Sequence, residues 1–564
     1  MKCFLKLFFF GLISINTSAQ SVNPADNIYS IRDSVSIKTR DGYFISAIVV
    51  TKRANTNPLP AILFYTPYYQ GPDDIFFGKL SADKNYVGVV AYCRGIRTNL
   101  DKFFPYEKDG NDAYDVIDWI SKQPWCDGRV GMYGGSYLGF VQWSTVKKIH
   151  PALKTIVPQV AVMPGFDSPM ENNVPQGFAL TWPNDILKYK PLPQDLNFTW
   201  FDKGTSYRSL DSLAGQPNRI FQKWLNHPGY DNYWKSMIPT SKEFANIHIP
   251  ILSTTGYYDG AQSGNMQYIR LYHKYNKNPN LYFVIGPYDH FGGQRRASTY
   301  LYGYHIDTVA NISMRELAFQ WFDYIFKGKN KPEILKDKIN FEVMGANEWK
   351  HVSTLEQINN DTLTFYLSNI PAEKNNYLLS AQKPGKPASL EQLVDLKDRI
   401  TQNNYYTPLV INDSIDKSYG LMFISDVFTT PITINGAFHG QLNAWINKKD
   451  FDFSLAFFEL MTDGKYFNLG SYVGRASYAK NNRKRQLLSP NRKETIPFGN
   501  SHLVIKKINE GSRLVIILNV NKHPFEEINY GTGKNVHDET IKNADEPLLV
   551  KWFTDSFIKV PVWK

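Results

Sequence analysis

Short apolar runs alternate with helix-periodic stretches along the first part of the chain. Residues 44–50 (FISAIVV) follow the Asp41-Gly42 turn and read as a strand. Residues 61–65 (AILFY) and 87–92 (VGVVAY) are nearly continuous apolar runs, the pattern of parallel strands covered on both faces. Between 110 and 120 the apolar positions Ala113, Val116, Ile117 and Ile120 recur at helical spacing. Strands alternating with helices predict an α/β sheet. From about 150 to 245 the pattern changes to Pro-containing and aromatic stretches, such as 172–175 and 190–193, mixed with short helical pieces such as 220–225. This predicts an inserted helical cap. Strand-like runs return at 249–255 and 281–285, followed by a helix over 314–322 that Lys327-Gly328-Lys329 ends. Beyond about Pro332 short strands separated by turn residues dominate, for example 363–367, 432–434, 453–458 and 514–518, which predicts a β-sandwich. The expected organisation is an α/β core over 28–148 and 247–330, a cap over 149–246 and a C-terminal β-domain over 331–564.

The size and composition agree with several packed units. The chain has 564 residues, 43% hydrophobic and 20% charged, enough to bury a large core. Residues 1–19 have a basic start, a short apolar run and small residues at Ser18-Ala19, the layout of a cleaved signal peptide. Export to the periplasm or beyond is the expectation, with no membrane span. Loss of Lys2 and Lys6 with the leader takes the net charge from +11 down by two, to +9. The remaining basic residues are dispersed apart from a cluster at 481–485 and Arg492-Lys493, read as a solvated loop, so no nucleic-acid partner is expected. Cys93 and Cys126 remain after cleavage, either as one bridge or as two buried thiols.

The chemistry centres on residues 128–143. Gly128 to Tyr133 reads as a strand running into Gly134-Gly135-Ser136, and the apolar spacing from Tyr137 onward is helical. A strand, a sharp turn at Ser and a helix make a nucleophile elbow, whose strained Ser needs small neighbours and whose helix N-terminus aims free N–H groups at a developing oxyanion. Leu138 stands where the common pattern has a second Gly, and Gly139 comes one residue later. Gly204-Thr205-Ser206 also matches G-x-S, without the strand or the helix. A serine nucleophile needs a base and an orienting acid, in the order Ser, Asp or Glu, His, after later strands. Asp259 follows the strand run at 249–255, and His290 follows the run at 281–285. Asp289 is a rival acid, although a sequence neighbour rarely reaches its own adjacent imidazole. The loop after 61–65, Thr66-Pro67-Tyr68-Tyr69, is placed to supply the second oxyanion donor, either a backbone N–H or a Tyr hydroxyl. No H-E-x-x-H, no paired Cys ligands and no phosphate-loop context occur, so neither metal nor organic cofactor is expected.

These residues resemble the cocaine esterase and X-prolyl dipeptidyl peptidase group of serine hydrolases, which includes glutaryl-cephalosporin acylases and α-amino acid ester hydrolases. The resemblance runs through Arg40-Asp41-Gly42, Thr66-Pro67-Tyr68, Arg94-Gly95, Asp112-Ala113-Tyr114-Asp115 and Gln123-Pro124-Trp125 to Gly134-Gly135-Ser136-Tyr137-Leu138-Gly139. It continues through Tyr230 to Trp234, Gly256-Tyr257-Tyr258-Asp259, Gly286-Pro287-Tyr288-Asp289-His290 and Met344 to Trp349. The group's elbow is G-x-S-Y-x-G, so the displaced Gly139 fits it. The resemblance implies an α/β-hydrolase core, a helical cap after the elbow and a C-terminal jelly-roll of galactose-binding-like form. It implies a triad of Ser136, Asp259 and His290, with the Tyr68 hydroxyl and the Tyr137 backbone N–H on the oxyanion. Tyr69, Tyr258 and Tyr288 are expected at the pocket wall. Members that hold an α-ammonium carry acids just after the triad Asp, but here Gly260-Ala261-Gln262 follows, leaving Asp167 and Glu171 as the candidate carboxylates. The expected substrate is a small-molecule or peptide acyl compound, cleaved at an ester or amide bond. X-prolyl dipeptidyl peptidase action is the alternative, and a catalytically inactive binding protein is the competing class. Oligomeric state is left open.

Overall fold

The computed structural model describes residues 27–403, 409–499 and 502–564. The leader predicted over 1–19 lies outside them. Ten strands form one sheet in the order β1 (Tyr29–Lys38), β2 (Phe44–Lys52), β4 (Val87–Tyr92), β3 (Leu59–Thr66), β5 (Cys126–Gly135), β6 (Leu153–Gln159), β9 (Ile251–Tyr258), β10 (Leu281–Asp289), β13 (Ile339–Val343) and β14 (Glu348–Val352). Two hairpins, β7 (Met170–Glu171) with β8 (Val174–Pro175) and β11 (Tyr300–Leu301) with β12 (Tyr304–His305), stand apart from it. From β4 to β13 neighbouring strands run parallel, while β1, β2 and β14 close the edges antiparallel.

The apolar runs account for this sheet. All six residues of β4 are buried, as strands covered on both faces require. Helix α1 (Ile75–Asp83) lies so close to β4 that a Cβ on Gly88 would stand 2.2 Å from the Gly78 carbonyl oxygen. Helix α2 (Asp109–Ser121) buries Ala113, Val116, Ile117 and Ile120, the stripe its spacing predicted. Parallel neighbours need crossovers. Three of them are α3 (Tyr137–Thr145) between β5 and β6, α10 (Gln262–Tyr275) between β9 and β10, and α11 (Met314–Lys327) between β10 and β13. Ser313 caps α11 by accepting the Glu316 N–H, and Gly328 ends it at φ 66°. Past the boundary read at 331, β13 and β14 still belong to this sheet. Their five-residue length hides that membership in sequence, because β13 is recognised only by its parallel pairing with β10.

Between β6 and β9 the chain leaves the sheet and forms α4 (Phe178–Ile186), α5 (Leu196–Lys203), α6 (Leu210–Leu213), α7 (Arg219–Leu225), α8 (Asn232–Lys235) and α9 (Ser241–Ala245). The residues from Asp361 to Trp563 build a second, fourteen-stranded sheet. The architecture is mixed α/β with a large central sheet and a further β-rich region. The basic loop at 481–485 is more than a solvated turn. Arg485 pairs with Asp450 at 2.7 Å, and the Asn482 carbonyl accepts from the Tyr230 N–H (2.9 Å) and from Asn173 (3.0 Å), tying the β-rich region to the inserted helices. Cys93 and Cys126 are both buried free thiols.

The second sheet holds a buried charge cluster. Arg475, with 2% of its side chain exposed, donates to both oxygens of Asp452 (2.9 and 2.8 Å) and to Glu527 (2.6 Å). Removing one partner strands the others without solvent. Arg475→Met is expected to lower stability by about 3–5 kcal/mol, read as a reduced midpoint of urea unfolding relative to the unaltered chain.

Candidate active site

Ser136 sits where β5 ends and α3 begins, with φ 63° and ψ −120°. A non-Gly residue held there costs about 1–3 kcal/mol and persists only where its surroundings over-determine it. Its N–H reaches the Gln159 (3.0 Å) and Val160 (3.1 Å) carbonyls, and its own carbonyl accepts the Phe140 N–H at 3.1 Å. Gly134 has φ 139°, and a Cβ there would meet Leu138 side-chain atoms at 2.6–2.8 Å. A Cβ on Gly135 would stand 2.3 Å from Gln294 Oε1. The displaced Gly139 has a packing reason: α3 presses on the segment leaving β6, and a Cβ would lie 2.8 Å from Ala161 Cα. By contrast, Gly204 is the left-handed end of α5, so the second G-x-S match is a helix terminus.

Asp259 and His290 follow the adjacent parallel strands β9 and β10. Asp259 is fully buried. Its Oδ1 receives His290 Nδ1 at 2.7 Å and the Ala261 N–H at 2.9 Å, and its Oδ2 receives the Thr255 hydroxyl at 2.6 Å. Burial pushes this carboxyl upward, but the imidazole charge and these hydrogen bonds outweigh it and hold the pKa below the usual carboxylate value. For His290 burial works against the charged form, while the charge and hydrogen bond of Asp259 raise its pKa above the ordinary imidazole value. The His290 side chain keeps 32% of its surface exposed. Its Nδ1 is committed to Asp259, and Gln294 Nε2 donates to its backbone carbonyl at 2.9 Å.

Tyr68, on the loop after β3, accepts a hydrogen bond from Trp182 Nε1 at 3.2 Å. Burial raises its phenol pKa. Tyr137 is the first residue of α3, so its N–H has no acceptor within the helix. Its hydroxyl accepts the Tyr106 N–H (2.9 Å) and donates to Asp109 (2.8 Å), a buried acid that burial lifts to about 6. The loop after β3, the elbow and the loops after β9 and β10 all leave the carboxyl ends of strands, where open α/β sheets form their clefts.

The residues expected at the pocket wall are distributed differently. Tyr69 stands edge-on to Tyr92, with Arg97 and Lys188 over its ring. The Tyr258 hydroxyl donates to the Asn468 carbonyl (3.0 Å) in the β-rich region. Tyr288 is buried and donates to the Ala310 carbonyl (2.9 Å). Asp167 is buried with its oxygens on the Met163 and Gly264 N–H groups (both 2.7 Å). Glu171 accepts from Gln176 (3.1 Å) and Ser263 (3.3 Å), and His502 approaches to 3.6 Å. Trp182, Thr255, Gln294 and His502 carry no motif. Only Thr255, four residues before Asp259 at a strand end, could have been found from its spacing. Among the described residues no group of three or more His, Cys, Asp or Glu is placed to hold a metal, and no helix is long and apolar enough to cross a membrane.

The coupling between Asp259 and His290 is directly measurable. Asp259→Asn removes the largest charge that raises His290 against its burial and leaves only the weaker effect of Asp289 on that side. The His290 NMR titration midpoint, assigned with His290→Gln, is expected to fall from above the ordinary imidazole value to below it.

The chain is similar to several known hydrolases. Residues 41–292, which contain Ser136, Asp259 and His290, match the profile of the X-Pro dipeptidyl-peptidase (S15 family). Cocaine esterase of Rhodococcus sp. (strain MB1 Bresler) is 24% identical over 502 residues, 80% of this chain and 84% of that protein. An aminopeptidase from the marine sediment archaeon Thaumarchaeota archaeon superposes with a TM-score of 0.81 at 18% identity, covering 98% of this chain and all of that one. An α-amino acid ester hydrolase superposes with a TM-score of 0.78 at 19% identity, covering 98% and 99%. The chain is a serine hydrolase, similar over most of its length to cocaine esterase and over residues 41–292 to the X-Pro dipeptidyl-peptidase (S15 family).

Proposed function

We propose that this enzyme is an exported hydrolase of carboxylic esters or amides that works through an acyl-enzyme on Ser136. The observation that carries the reading is the 2.7 Å pair between His290 Nδ1 and fully buried Asp259, at the ends of β9 and β10 in the same parallel sheet whose strand β5 presents Ser136. Asp259 holds the imidazole in the tautomer with its proton on Nδ1, which leaves Nε2 as the base. His290 takes the Ser136 proton as the hydroxyl oxygen attacks the acyl carbon, then returns it to the leaving group. Water repeats the sequence in reverse and frees the acid. The tetrahedral oxyanion lies between the Tyr68 hydroxyl and the Tyr137 N–H, and each such donor is worth a factor of roughly 10²–10³ in rate.

In this reading residues 28–148 and 247–330 are the catalytic core, although β13 and β14 extend its sheet to Val352. Helices α4 to α9, within 149–246, form a cap, and the strands from Asp361 onward, within 331–564, form a jelly-roll. The leader over 1–19 supports export. Ester and simple amide cleavage is favoured over X-prolyl dipeptidyl cleavage because neither candidate ammonium partner stands free. Asp167 is spent on two backbone N–H groups, and Glu171 is engaged by Gln176, Ser263 and His502.

A fluorophosphonate probe is expected to label Ser136 in the folded protein, and Ser136→Ala to abolish labelling and lower kcat on the order of 10⁶-fold. Failure of the unaltered chain to label, beside a reactive control hydrolase, removes the enzymatic role of Ser136. Across p-nitrophenyl acyl esters and Gly-Pro and Ala-Pro anilides, turnover is expected on the esters; cleavage confined to the anilides selects the dipeptidyl reading. Because imidazolium cannot accept a proton, kcat/KM is expected to rise with pH through a midpoint above the ordinary histidine value of 6.5.

A further inference from the structure

We propose that Trp182, on helix α4 of the inserted segment, is a positioning residue that aims the Tyr68 hydroxyl proton at the oxyanion. The inference rests on the reading of Tyr68 as an oxyanion donor. A tyrosine hydroxyl both donates and accepts, and its proton rotates to suit its partners, whereas an indole N–H only donates. Trp182 Nε1 lies 3.2 Å from Tyr68 Oη, so at this contact the phenol oxygen is the acceptor. The hydroxyl proton is thereby excluded from the cap side of the oxygen. The other side chain that acts on that phenol is Ser136, the proposed nucleophile. A donor already turned toward the developing charge needs no reorientation during the reaction, which is the condition under which an oxyanion contact acts on the transition state rather than on binding. Accepting one hydrogen bond also polarises the O–H that the phenol donates.

The direction of the indole N–H is itself fixed. The Trp182 ring stacks on Tyr137 (5.5 Å, 16°), Tyr106 (6.3 Å, 9°) and Trp224 (6.0 Å, 22°), with Phe103 tilted against it at 6.3 Å. The ring cannot turn without breaking this pile. Tyr137 is also the residue whose backbone N–H is the second proposed donor. One side chain of the inserted segment therefore hydrogen-bonds to one donor residue and packs flat on the other. Pro183 follows Trp182 within α4 and is buried with Ala179 and Leu180, which anchors this helix turn over the elbow.

Trp182→Phe keeps an aromatic ring in the pile and removes the N–H together with the five-membered half of the indole; the Y68F background separates the two effects, because lost packing costs the same with or without the Tyr68 hydroxyl. The test compares W182F, Y68F and the double variant on a p-nitrophenyl ester, with rates normalised to sites counted by end-point fluorophosphonate labelling. That normalisation keeps the comparison valid if part of a variant misfolds. Y68F is expected to lower kcat about a hundredfold. W182F is expected to lower it about tenfold with KM within about twofold, the split of an interaction made in the transition state. The affinity for a phenylboronic acid, a tetrahedral mimic, is expected to weaken in W182F by the same factor as kcat/KM. The double variant is expected to match Y68F, because Trp182 acts only through that hydroxyl. If W182F costs as much in the Y68F background as alone, or raises KM without touching kcat, the proposal is overturned while the oxyanion reading survives. If Y68F leaves kcat unchanged, the oxyanion reading of Tyr68 fails and this proposal with it.

Discussion

Everything in the site depends on holding Ser136 in a backbone conformation it would not adopt by itself. The constraint is a crossing of three parallel strands. The Ser136 N–H is shared between Gln159 and Val160 at the end of β6, and the Val160 N–H in turn reaches the Thr254 carbonyl of β9 at 2.7 Å. Val160 also has positive φ, 41°, which is uncommon for a β-branched residue. Two strained residues thus brace one another across β5, β6 and β9, and the glycines at 134 and 139 remove the side chains that would prevent the approach. The strain is local, while the hydrogen bonds that hold it belong to the sheet.

Burial sets the electrostatics in opposite directions on the two sides of the elbow. On one side Asp259, with no exposure at all, stays ionised because a hydroxyl, a backbone N–H and an imidazole converge on its oxygens. On the other side Asp109 lies beneath Tyr137, and burial lifts it to about 6 in spite of hydrogen bonds from Tyr137 and Cys93. The difference lies in the neighbour: Asp259 faces the His290 imidazole, whereas the charge acting on Asp109 is that of a second acid, Asp112. One carboxylate is prepared to stabilise charge, and the other serves as an anchor for a tyrosine.

The β-rich region reaches the site as well. The backbone of Leu503 is clamped by Gln262, which accepts its N–H at 2.6 Å and donates to its carbonyl at 2.9 Å. Gln262 itself sits three residues beyond Asp259, so the loop bearing Asp259 is pinned from both sheets. The Tyr258 hydroxyl adds a second tie to Asn468. The approach of His502 to Glu171 brings the same loop against the hairpin β7–β8. The inserted helices enter through Trp182. Three segments of the chain thus contribute to the surroundings of one elbow.

Much of this was legible in the sequence. Continuous apolar runs announced the parallel strands, since strands buried on both faces have no polar alternation to hide in. The order of Ser136, Asp259 and His290 could be read because each follows a recognisable run, and a local strand-turn-helix pattern needs no distant partner to declare itself. What remained illegible was set by contacts between residues far apart in the chain. The membership of β13 and β14 in the central sheet rests on pairing with β10, not on their composition. Asp167 could be named as a carboxylate near the site but not seen to be used up by two backbone N–H groups, and Tyr288 could be placed before His290 but not seen to point into the core. Trp182 had no motif at all: the 3.2 Å to Tyr68 spans 114 residues of sequence. Covalent order and local periodicity determine which groups stand at strand ends, because those depend on neighbours a few residues away. Which groups then face one another is decided only when the sheet, the inserted helices and the β-rich region close on the same elbow.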